Sequence, residues 1–342
     1  TTYVNNSIVW DSSNKNVVTV ENGNLTLIEN GEAQITVTTQ NGYTAQCSIT
    51  VITPITSLAV SPTSETVYVG NTIQLTGTVN PSNTTESTLW ISSNTDVATV
   101  SDSGLVTAKS AGTATITFKN SSGTMSANCT ITVSYVGCYA DVDGDGTVDG
   151  IIFADLLHGK TGQWGDSNGT YTIPTIESTK VKSYKISQED YTNQLGGTSK
   201  ILTPSGDGND RFYVMALTDI ATDEYTFGCS LSGTTTTFGS GKTNTQTLIG
   251  KADLNSSLKK QIQPKVNKGW FIPSKEEWSA FGEELGIGTT NYSDKGLSSW
   301  YWSSSQYFPD TSTAWHAYFT RGYMHYSGTI YGHYYVRLAT TF

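Results

Sequence analysis

"GWFIPSKEEWSAFGEEL", residues 269–285, contains the clearest helix signal in the C-terminal part of the chain. It predicts a helix after Ser274, because Ser274 suits an N-cap and Glu277 follows three residues later, as in a reciprocal capping box. Pro273 directly precedes this cap. Three apolar residues share one stripe of the helix, namely Trp278, Phe281 and Leu285. We expect this stripe to face a hydrophobic core.

Three further phrases follow this helix in a fixed order. They are "SSWYWSSSQ" at 298–306, "AWHAYF" at 314–319 and "YYVRL" at 334–338. Over residues 269–338 the succession resembles the C-type lectin fold, in the variant shared by formylglycine-generating-enzyme-like domains and the variable proteins of diversity-generating retroelements. Upstream, "DGIIFADL" and "GQWGDSNGTY" fit the long members of that group. The resemblance implies an α+β domain.

Variable proteins of retroelements also have a diversified surface, because unfaithful copying of template adenines turns Asn-type codons into Tyr, His, Ser, Thr, Asp and similar residues. The segment 314–335 is rich in these residue types. The resemblance therefore implies a ligand-binding face at these positions: Tyr307, Asp310, His316, Tyr318, Thr320, Tyr323, His325, Tyr326, Thr329, Tyr331 and His333.

Residues of a fixed scaffold are interleaved with this set. They are Trp302, Ser303, Ser304, Ser305, Ala314, Trp315, Phe319, Gly322, Tyr335, Val336 and Arg337. The predicted face is typical of a binding surface, since Tyr gives a large amphipathic contact area at small entropic cost. Some tyrosines are expected to pack the sheet instead, namely Tyr301, Tyr334 and Tyr335.

Catalysis is the competing interpretation of this segment. His316, His325 and His333 are spaced nine and eight residues apart, which is not a helical metal-ligand spacing, and only Asp310 is close in sequence to orient an imidazole. The related formylglycine-generating enzymes use cysteines late in the domain, whereas the last cysteine here is Cys229. The Glu-Pro-Asn, Gln-Pro-Asp and Trp-Asn-Asp triplets of sugar-binding C-type lectins are also absent. We therefore predict no enzyme and no calcium-dependent sugar binding.

"DVDGDGTVDG", residues 141–150, predicts a structural calcium site. The proposed ligands fall at positions 1, 3, 5, 7 and 9 of a calcium loop: Asp141, Asp143, Asp145, the Thr147 carbonyl and Asp149. Position 12 is Ile152 rather than Glu, and an apolar strand follows, so the loop resembles the calcium hairpins of integrin-type repeats more than an EF-hand. Asp155 is a further candidate ligand. The competing interpretation is a solvated acidic turn.

The N-terminal part contains an internal repeat. The segment 9–51 aligns with 89–133, with Trp10 matching Trp90 and Gly31 matching Gly112. Its short alternating runs between Gly, Asn and Ser turns predict antiparallel sandwiches. With "SLAVSP" at its start and "CTITV" at its end, the second copy resembles the bacterial Ig-like group 2 domain. Such domains act as spacers or adhesive stalks. The first copy lacks the opening strands, so we expect the chain to begin within it.

We therefore predict a β-rich multidomain chain in which Ig-like β-sandwich repeats precede an α+β C-type lectin-fold domain. The predicted boundaries are 1–53 for a partial Ig-like domain, 54–134 for a complete one and 135–342 for the variable domain. Cys47 and Cys129 occupy matching strand positions and are predicted to be buried, whereas a Cys138–Cys229 bridge stays open.

Composition limits the partners. With 14% charged residues, a formal net charge of −10 and no basic cluster, nucleic acid is not a predicted partner. No apolar run approaches the roughly 20 residues of a membrane span, so no membrane insertion is predicted for this fragment.

The sequence thus favours an extracellular receptor or adhesin, on a phage virion or a bacterial cell surface, that binds a protein or glycan of a host or neighbouring cell. The alternatives are a fixed structural adhesin or phage decoration protein, and a degenerate enzyme.

Overall fold

The computed structural model describes residues 8–188 and 190–342. The chain divides into two compact units. The first runs to Thr66 and includes Thr72–Thr107 and Thr113–Thr132. The second includes Val67–Asn71, Ala108–Gly112 and Val133–Phe342. Within the described residues, no helix has the length and apolar character needed to cross a membrane.

The first copy of the repeat forms two small antiparallel sheets. Its strands are β1 (Ile8–Ser12), β2 (Val18–Glu21), β3 (Asn24–Leu27), β4 (Gly31–Thr39) and β5 (Thr44–Val51). One sheet has the order β1-β4-β5 and the other is the β2-β3 hairpin. Val17, Val18, Ala33 and Ile35 form its small buried core.

The second copy has four additional strands at its start. Its strands are β6 (Ser57–Ser61), β7 (Ser64–Tyr68), β8 (Thr72–Gln74), β9 (Thr76–Asn80), β10 (Thr88–Ser92), β11 (Ala98–Val100), β12 (Leu105–Ala108), β13 (Gly112–Asn120) and β14 (Ser126–Ser134). They form sheets of order β10-β13-β14-β7, β11-β12-β8 and β6-β9. Trp90 of β10 lies opposite Phe118 of β13, as Trp10 of β1 lies opposite Val37 of β4. The predicted repeat is therefore a structural repeat.

The two matching glycines have the same backbone role. Gly31 and Gly112 each begin the long strand of their copy with a positive φ, 145° and 150°. A side chain is strained at such angles, which explains why both copies place glycine there.

The matching cysteines differ in burial. Cys129 is fully buried, as predicted, whereas Cys47 is exposed. The difference arises because β14 has β7 beside it, while β5 ends its sheet within the described residues. Cys138 and Cys229 are separate free thiols, each buried in the second unit.

The second unit contains a six-stranded sheet, a hairpin and a three-stranded sheet. Its strands are β15 (Tyr139–Ala140), β16 (Gly150–Asp155), β17 (Lys160–Gln163), β18 (Thr170–Ile173), β19 (Tyr184–Gln188), β20 (Ile201–Pro204), β21 (Phe212–Ala216), β22 (Trp300–Tyr307), β23 (Asp310–Tyr318), β24 (Tyr323–Thr329) and β25 (Ala339–Thr341). The large sheet has the order β19-β20-β15-β16-β21-β25, in which only β15 and β20 are parallel. The small sheet has the order β22-β23-β24 and β17 pairs with β18.

Three helices accompany these sheets: α1 (Gly241–Ile249), α2 (Ser256–Val266) and α3 (Lys275–Glu284). Short 3-10 turns cover Ser167–Gly169 and Ser178–Lys180. The helix predicted after Ser274 is confirmed as α3, with both halves of its capping box. Ser274 Oγ accepts from the Glu277 N–H at 3.3 Å, and Glu277 Oε2 accepts from the Ser274 N–H at 2.7 Å.

The predicted apolar stripe of α3 lies in the core. Trp278 and Phe281 are fully buried, and Leu285 is half-buried against the same cluster. The Trp278 indole also donates to the Trp302 carbonyl at 3.0 Å, which ties α3 to β22. The helix therefore supports the back of the small sheet.

Candidate functional site

The small sheet β22-β23-β24 and the loops around it bring the predicted binding residues together. Tyr307 ends β22. Three of the others lie on β23 (Asp310, His316 and Tyr318) and four on β24 (Tyr323, His325, Tyr326 and Thr329). Thr320 lies in the β23–β24 turn, and Tyr331 and His333 follow β24. These eleven positions are thus contiguous on one part of the second unit.

The predicted scaffold residues are more buried than the predicted contact residues. The scaffold residues are buried, except for Gly322 and Tyr335, which are half-buried. Ten of the eleven contact positions are exposed or half-buried. Tyr331 is 71% exposed and Tyr326 is 43% exposed. Buried and accessible positions are therefore interleaved along this part of the chain.

His316 differs from the prediction, because its side chain is fully buried. Its ring stacks 4.9 Å from Tyr334, and neither ring nitrogen has a hydrogen-bond partner among the described residues. Burial, with a contribution from His325, lowers its pKa to about 3. A Cβ at Gly328 would lie 3.0 Å from His316 Nδ1, so a glycine here accommodates the buried ring. His316 is therefore not available for direct contact.

Two bulges explain how the surface is built. Between Trp302–His316 and Gln306–Ala314, residues Ser303–Ser305 of β22 lie opposite a single residue, Trp315. Between His316–His325 and Ala314–Gly328, two residues of β24 also lie opposite Trp315. An extra residue in one strand bends it and changes the direction of its side chains. Both neighbours of β23 are therefore irregular at the same point.

The serines of the first bulge fasten it to the chain around them. Ser304 Oγ donates to the Pro273 carbonyl at 3.2 Å, and Ser305 Oγ donates to the Thr235 carbonyl at 2.7 Å. Ser305 Oγ also accepts from the Lys275 N–H at 3.0 Å, which satisfies an otherwise unpaired amide in the first turn of α3. This explains why small hydroxyl residues occupy a buried strand.

Aromatic rings form a continuous array across the second bulge, which we call the tyrosine stack and define as Tyr307, Trp315, His325 and Tyr326. The ring of Tyr326 stacks with those of Tyr307, at 4.5 Å, and His325, at 5.1 Å. Trp315 contacts Tyr307 and Tyr326 edge-on, at 5.4 and 5.8 Å. Such packing orders the side chains in advance of binding.

A second aromatic group adjoins the stack through His325. Trp300 stacks on Tyr318 at 3.8 Å, and Tyr318 meets Tyr323 at 5.9 Å. Tyr301 is fully buried, as predicted, and Tyr334 and Tyr335 are half-buried. The tyrosines of the segment therefore serve both the base and the surface.

Two polar side chains of this surface, Asp310 and His325, form hydrogen bonds with residues two or three positions away. The Asp310 carboxylate accepts from the Ser312 N–H and hydroxyl and from the Thr313 hydroxyl, and these bonds lower its pKa. His325 Nδ1 meets the Ser327 hydroxyl at 2.8 Å. These contacts fix the shapes of the turn after β22 and of the β24 bulge.

Lys275 and Trp300 also contribute to this surface, although the sequence patterns did not identify them. Lys275 is only 9% exposed, and its ammonium lies 5.0 Å from the centroid of the Trp315 ring. The one sequence signal for Lys275 is a cation in the first turn of a helix, where acidic residues are favoured. Trp300 could have been found from its alternation with Trp302 in "WYW".

The acidic loop connects β15 to β16. Carboxylate oxygens of Asp141, Asp143 and Asp149 all lie within 4.8 Å of one another. Oxygens that share one calcium ion at 2.3–2.6 Å can be at most about 5.2 Å apart, so the three carboxylates fit that ion. Burial raises the pKa of Asp149, and the neighbouring aspartates contribute.

The other proposed ligands fit less closely. Asp145 is outside the group, and its Oδ1 accepts from the Thr147 N–H at 2.7 Å. Asp155 is bound by Arg211, through Nε at 2.8 Å and Nη2 at 2.7 Å. Asp155 is therefore used in a buried ion pair rather than in the loop.

Comparison with known proteins supports the N-terminal assignment. The bacterial Ig-like domain (group 2) matches residues 54–131. The chain therefore contains a group 2 Ig-like domain and is a β-rich multidomain protein.

Two relatives match longer segments. An uncharacterized protein of Clostridium acetobutylicum is 26% identical over 223 residues, which are 58% of this chain and 23% of that protein. Ice-binding protein 1 of Shewanella frigidimarina is 35% identical over 135 residues, 38% of this chain and 15% of that protein. The chain spans less than a quarter of the length of either relative.

Among solved structures, the C-terminal 282-residue fragment of intimin, in complex with the intimin-binding domain of the translocated intimin receptor, is 11% identical to this chain. The similarity covers 98% of this chain and 88% of the other, with a TM-score of 0.28.

Proposed function

We propose that this chain is the ligand-binding part of a surface-displayed receptor or adhesin. Its Ig-like domains carry a C-type lectin-fold domain whose C-terminal face is diversified by a retroelement. The protein is extracellular, on a bacterial cell or a phage virion, and its ligand is a protein or glycan of a host or neighbouring cell.

The observation that carries this proposal is the match between residue type and burial. Positions predicted to be fixed are buried, apart from the half-buried Gly322 and Tyr335, and positions predicted to vary are exposed or half-buried, apart from His316. Accessible aromatic residues on a rigid support are typical of binding surfaces. A diversified face needs this division, because replacing its residues must leave the core intact.

The environments of the three histidines favour a binding function over a catalytic one. His316 is buried, His325 is engaged by Ser327, and His333 is exposed in the turn after β24. Within the described residues, the only group of three or more metal-binding side chains is the acidic loop. The face therefore acts through shape and aromatic contact.

We further propose that the acidic loop binds a structural calcium ion. Asp141, Asp143 and Asp149 would hold it, and the ion would offset the repulsion among their charges. Its contribution is to stiffen the β15–β16 hairpin, away from direct ligand contact.

The binding proposal is tested by replacing four accessible residues together with alanine: Tyr323, His325, Tyr326 and Tyr331. Fluorescently labelled chain is first screened against a panel of bacterial cells. We expect the fourfold variant to lose that cell binding while its melting temperature falls by less than about 5 °C, because mainly surface contacts are removed.

A matched control replaces exposed polar residues of the same unit, Lys260, Gln261 and Lys268, with alanine. The control should bind like the unaltered chain. Retained binding by the fourfold variant contradicts the proposal, and a large loss of stability marks the four residues as structural.

A further inference from the structure

Lys275 occupies an unusual position for a cation. It is the first residue of α3, where the positive end of the helix dipole disfavours a positive charge, and its side chain is nine-tenths buried. Burial lowers the pKa of its ammonium group. Both the burial of the side chain and the helix dipole therefore disfavour the positive charge of Lys275.

No carboxylate forms an ion pair with Lys275 within the described residues. Glu276 and Asp166 are close enough to attract it, but both are engaged elsewhere. Glu276 Oε2 accepts from the Thr172 and Phe238 amides at 3.2 and 3.1 Å. Asp166 accepts from the backbone and side chain of Asn168 at 2.9 and 3.2 Å. The ammonium is thus left without a bonded anion.

The cation adjoins the tyrosine stack. Its ammonium lies over the ring of Trp315, and the same ring contacts Tyr307 and Tyr326, two of the predicted ligand-binding residues. A ligand that covers Tyr307 and Tyr326 would therefore approach the Lys275 side chain.

We propose that Lys275 determines charge specificity: the face takes a protein partner that places an Asp or Glu carboxylate against the Lys275 ammonium. This inference rests on the proposed binding function and specifies the partner's chemistry. A carboxylate arriving in a partly desolvated place beside an unpaired ammonium forms a strong, charge-assisted hydrogen bond.

The aromatic geometry favours a protein over a glycan. Sugars stack on open ring faces, whereas the ring of Tyr326 already stacks with those of Tyr307 and His325. Phe308 is 84% exposed and Tyr331 is 71% exposed, so both add accessible apolar surface. Aromatic residues are enriched in the cores of protein interfaces, and Tyr combines an apolar ring with a polar hydroxyl.

The test uses the full chain and a phage-displayed library of random linear peptides. Peptides are selected on the unaltered protein, and those that lose binding to Tyr326→Ala are retained as face-dependent. We expect these peptides to be enriched in Asp or Glu. Their affinity should fall about ten-fold or more with Lys275→Met, and equally when the critical peptide carboxylate is changed to an amide.

Two control variants accompany the test. Lys275→Arg keeps the charge and should retain most of the affinity, and Lys268→Met removes an exposed lysine and should change nothing. The melting temperature of Lys275→Met should not fall, since methionine suits a buried site next to Trp315.

The outcomes separate this inference from the proposed function. Face-dependent peptides without acidic enrichment, unaffected by Lys275→Met, overturn the inference and leave the binding function standing. Failure to select any face-dependent peptide counts against both. Lys275-dependent binding of an acidic or sulfated glycan on an array, with no acidic peptide selected, overturns the protein partner.

Discussion

At the scale of a single residue, His316 has a residue type that predicts a surface position, but its side chain lies in the interior. Its type belongs to the predicted variable set, yet it is enclosed by Trp300, Tyr334 and His325, at ring distances of 5.4, 4.9 and 5.4 Å. A buried imidazole without a hydrogen-bond partner is held neutral, because charging it would leave an uncompensated charge in the interior. This burial links the stability of the fold to pH.

We expect His316 to make the second unit sensitive to acid. Its pKa falls from 6.5 in the unfolded chain to about 3 in the fold, so its stabilising effect is complete above pH 6.5 and is lost as pH falls toward 3. The loss is about 1.4 kcal/mol per pH unit, or about 3 kcal/mol at pH 4. Urea unfolding at pH 7.5, 5 and 4 measures it.

The variant His316→Phe should remove this part of the acid sensitivity, because it retains a ring and has no titratable group. His333→Phe, at an exposed position, is the matched control and should retain the sensitivity of the unaltered chain. If His316→Phe and the unaltered chain lose the same free energy of unfolding between pH 7.5 and pH 4, other groups cause the acid sensitivity.

At the scale of elements, local sequence rules predicted α3 well and the strands of the small sheet less well. The capping box is decided by Ser274 and Glu277, three residues apart, so the sequence alone identifies it. The bulges opposite Trp315 depend on pairing between distant segments. Because a bulge breaks the alternation of inward and outward positions, side-chain types could not show that His316 is buried. The position of the Lys275 ammonium over Trp315 also depends on contact between distant segments, so the sequence does not show it.

The acidic loop is the element for which we predict a metal effect. A chelator should lower the melting temperature of the chain, because an ion that binds only the folded loop stabilises the fold by mass action. Asp143→Asn should remove this response, since it takes one carboxylate from the group of three. The measurement is thermal unfolding with and without chelator.

Asp223→Asn is the matched control, because Asp223 is an exposed carboxylate outside the loop. It should respond to the chelator like the unaltered chain. An unchanged melting temperature in chelator, together with a higher one for Asp143→Asn, would identify the loop as a solvated acidic turn whose charges repel.

At the scale of the whole molecule, the Ig-like repeat could be predicted from local sequence patterns, whereas the C-terminal unit could not. The Ig-like domain at 54–131 is built from short antiparallel strands, and its repeated pattern made it predictable from short-range alternation and turn glycines. The core of the C-terminal unit instead joins buried residues of different elements, such as Trp278 of α3 and Trp302 of β22. Its fold depends on long-range pairing, so its assignment rested on resemblance.

We expect the accessible positions of the small sheet to be diversified by a retroelement. The most direct measurement is to sequence the gene's neighbourhood and search beside a reverse transcriptase for a near-copy of the segment that encodes residues 296–342. Our account predicts that such a copy exists and differs from the gene only at its adenines, at codons for accessible positions such as Tyr323, Tyr326 and Tyr331. Absence of both the copy and the reverse transcriptase would contradict it and favour a fixed adhesin or phage decoration protein.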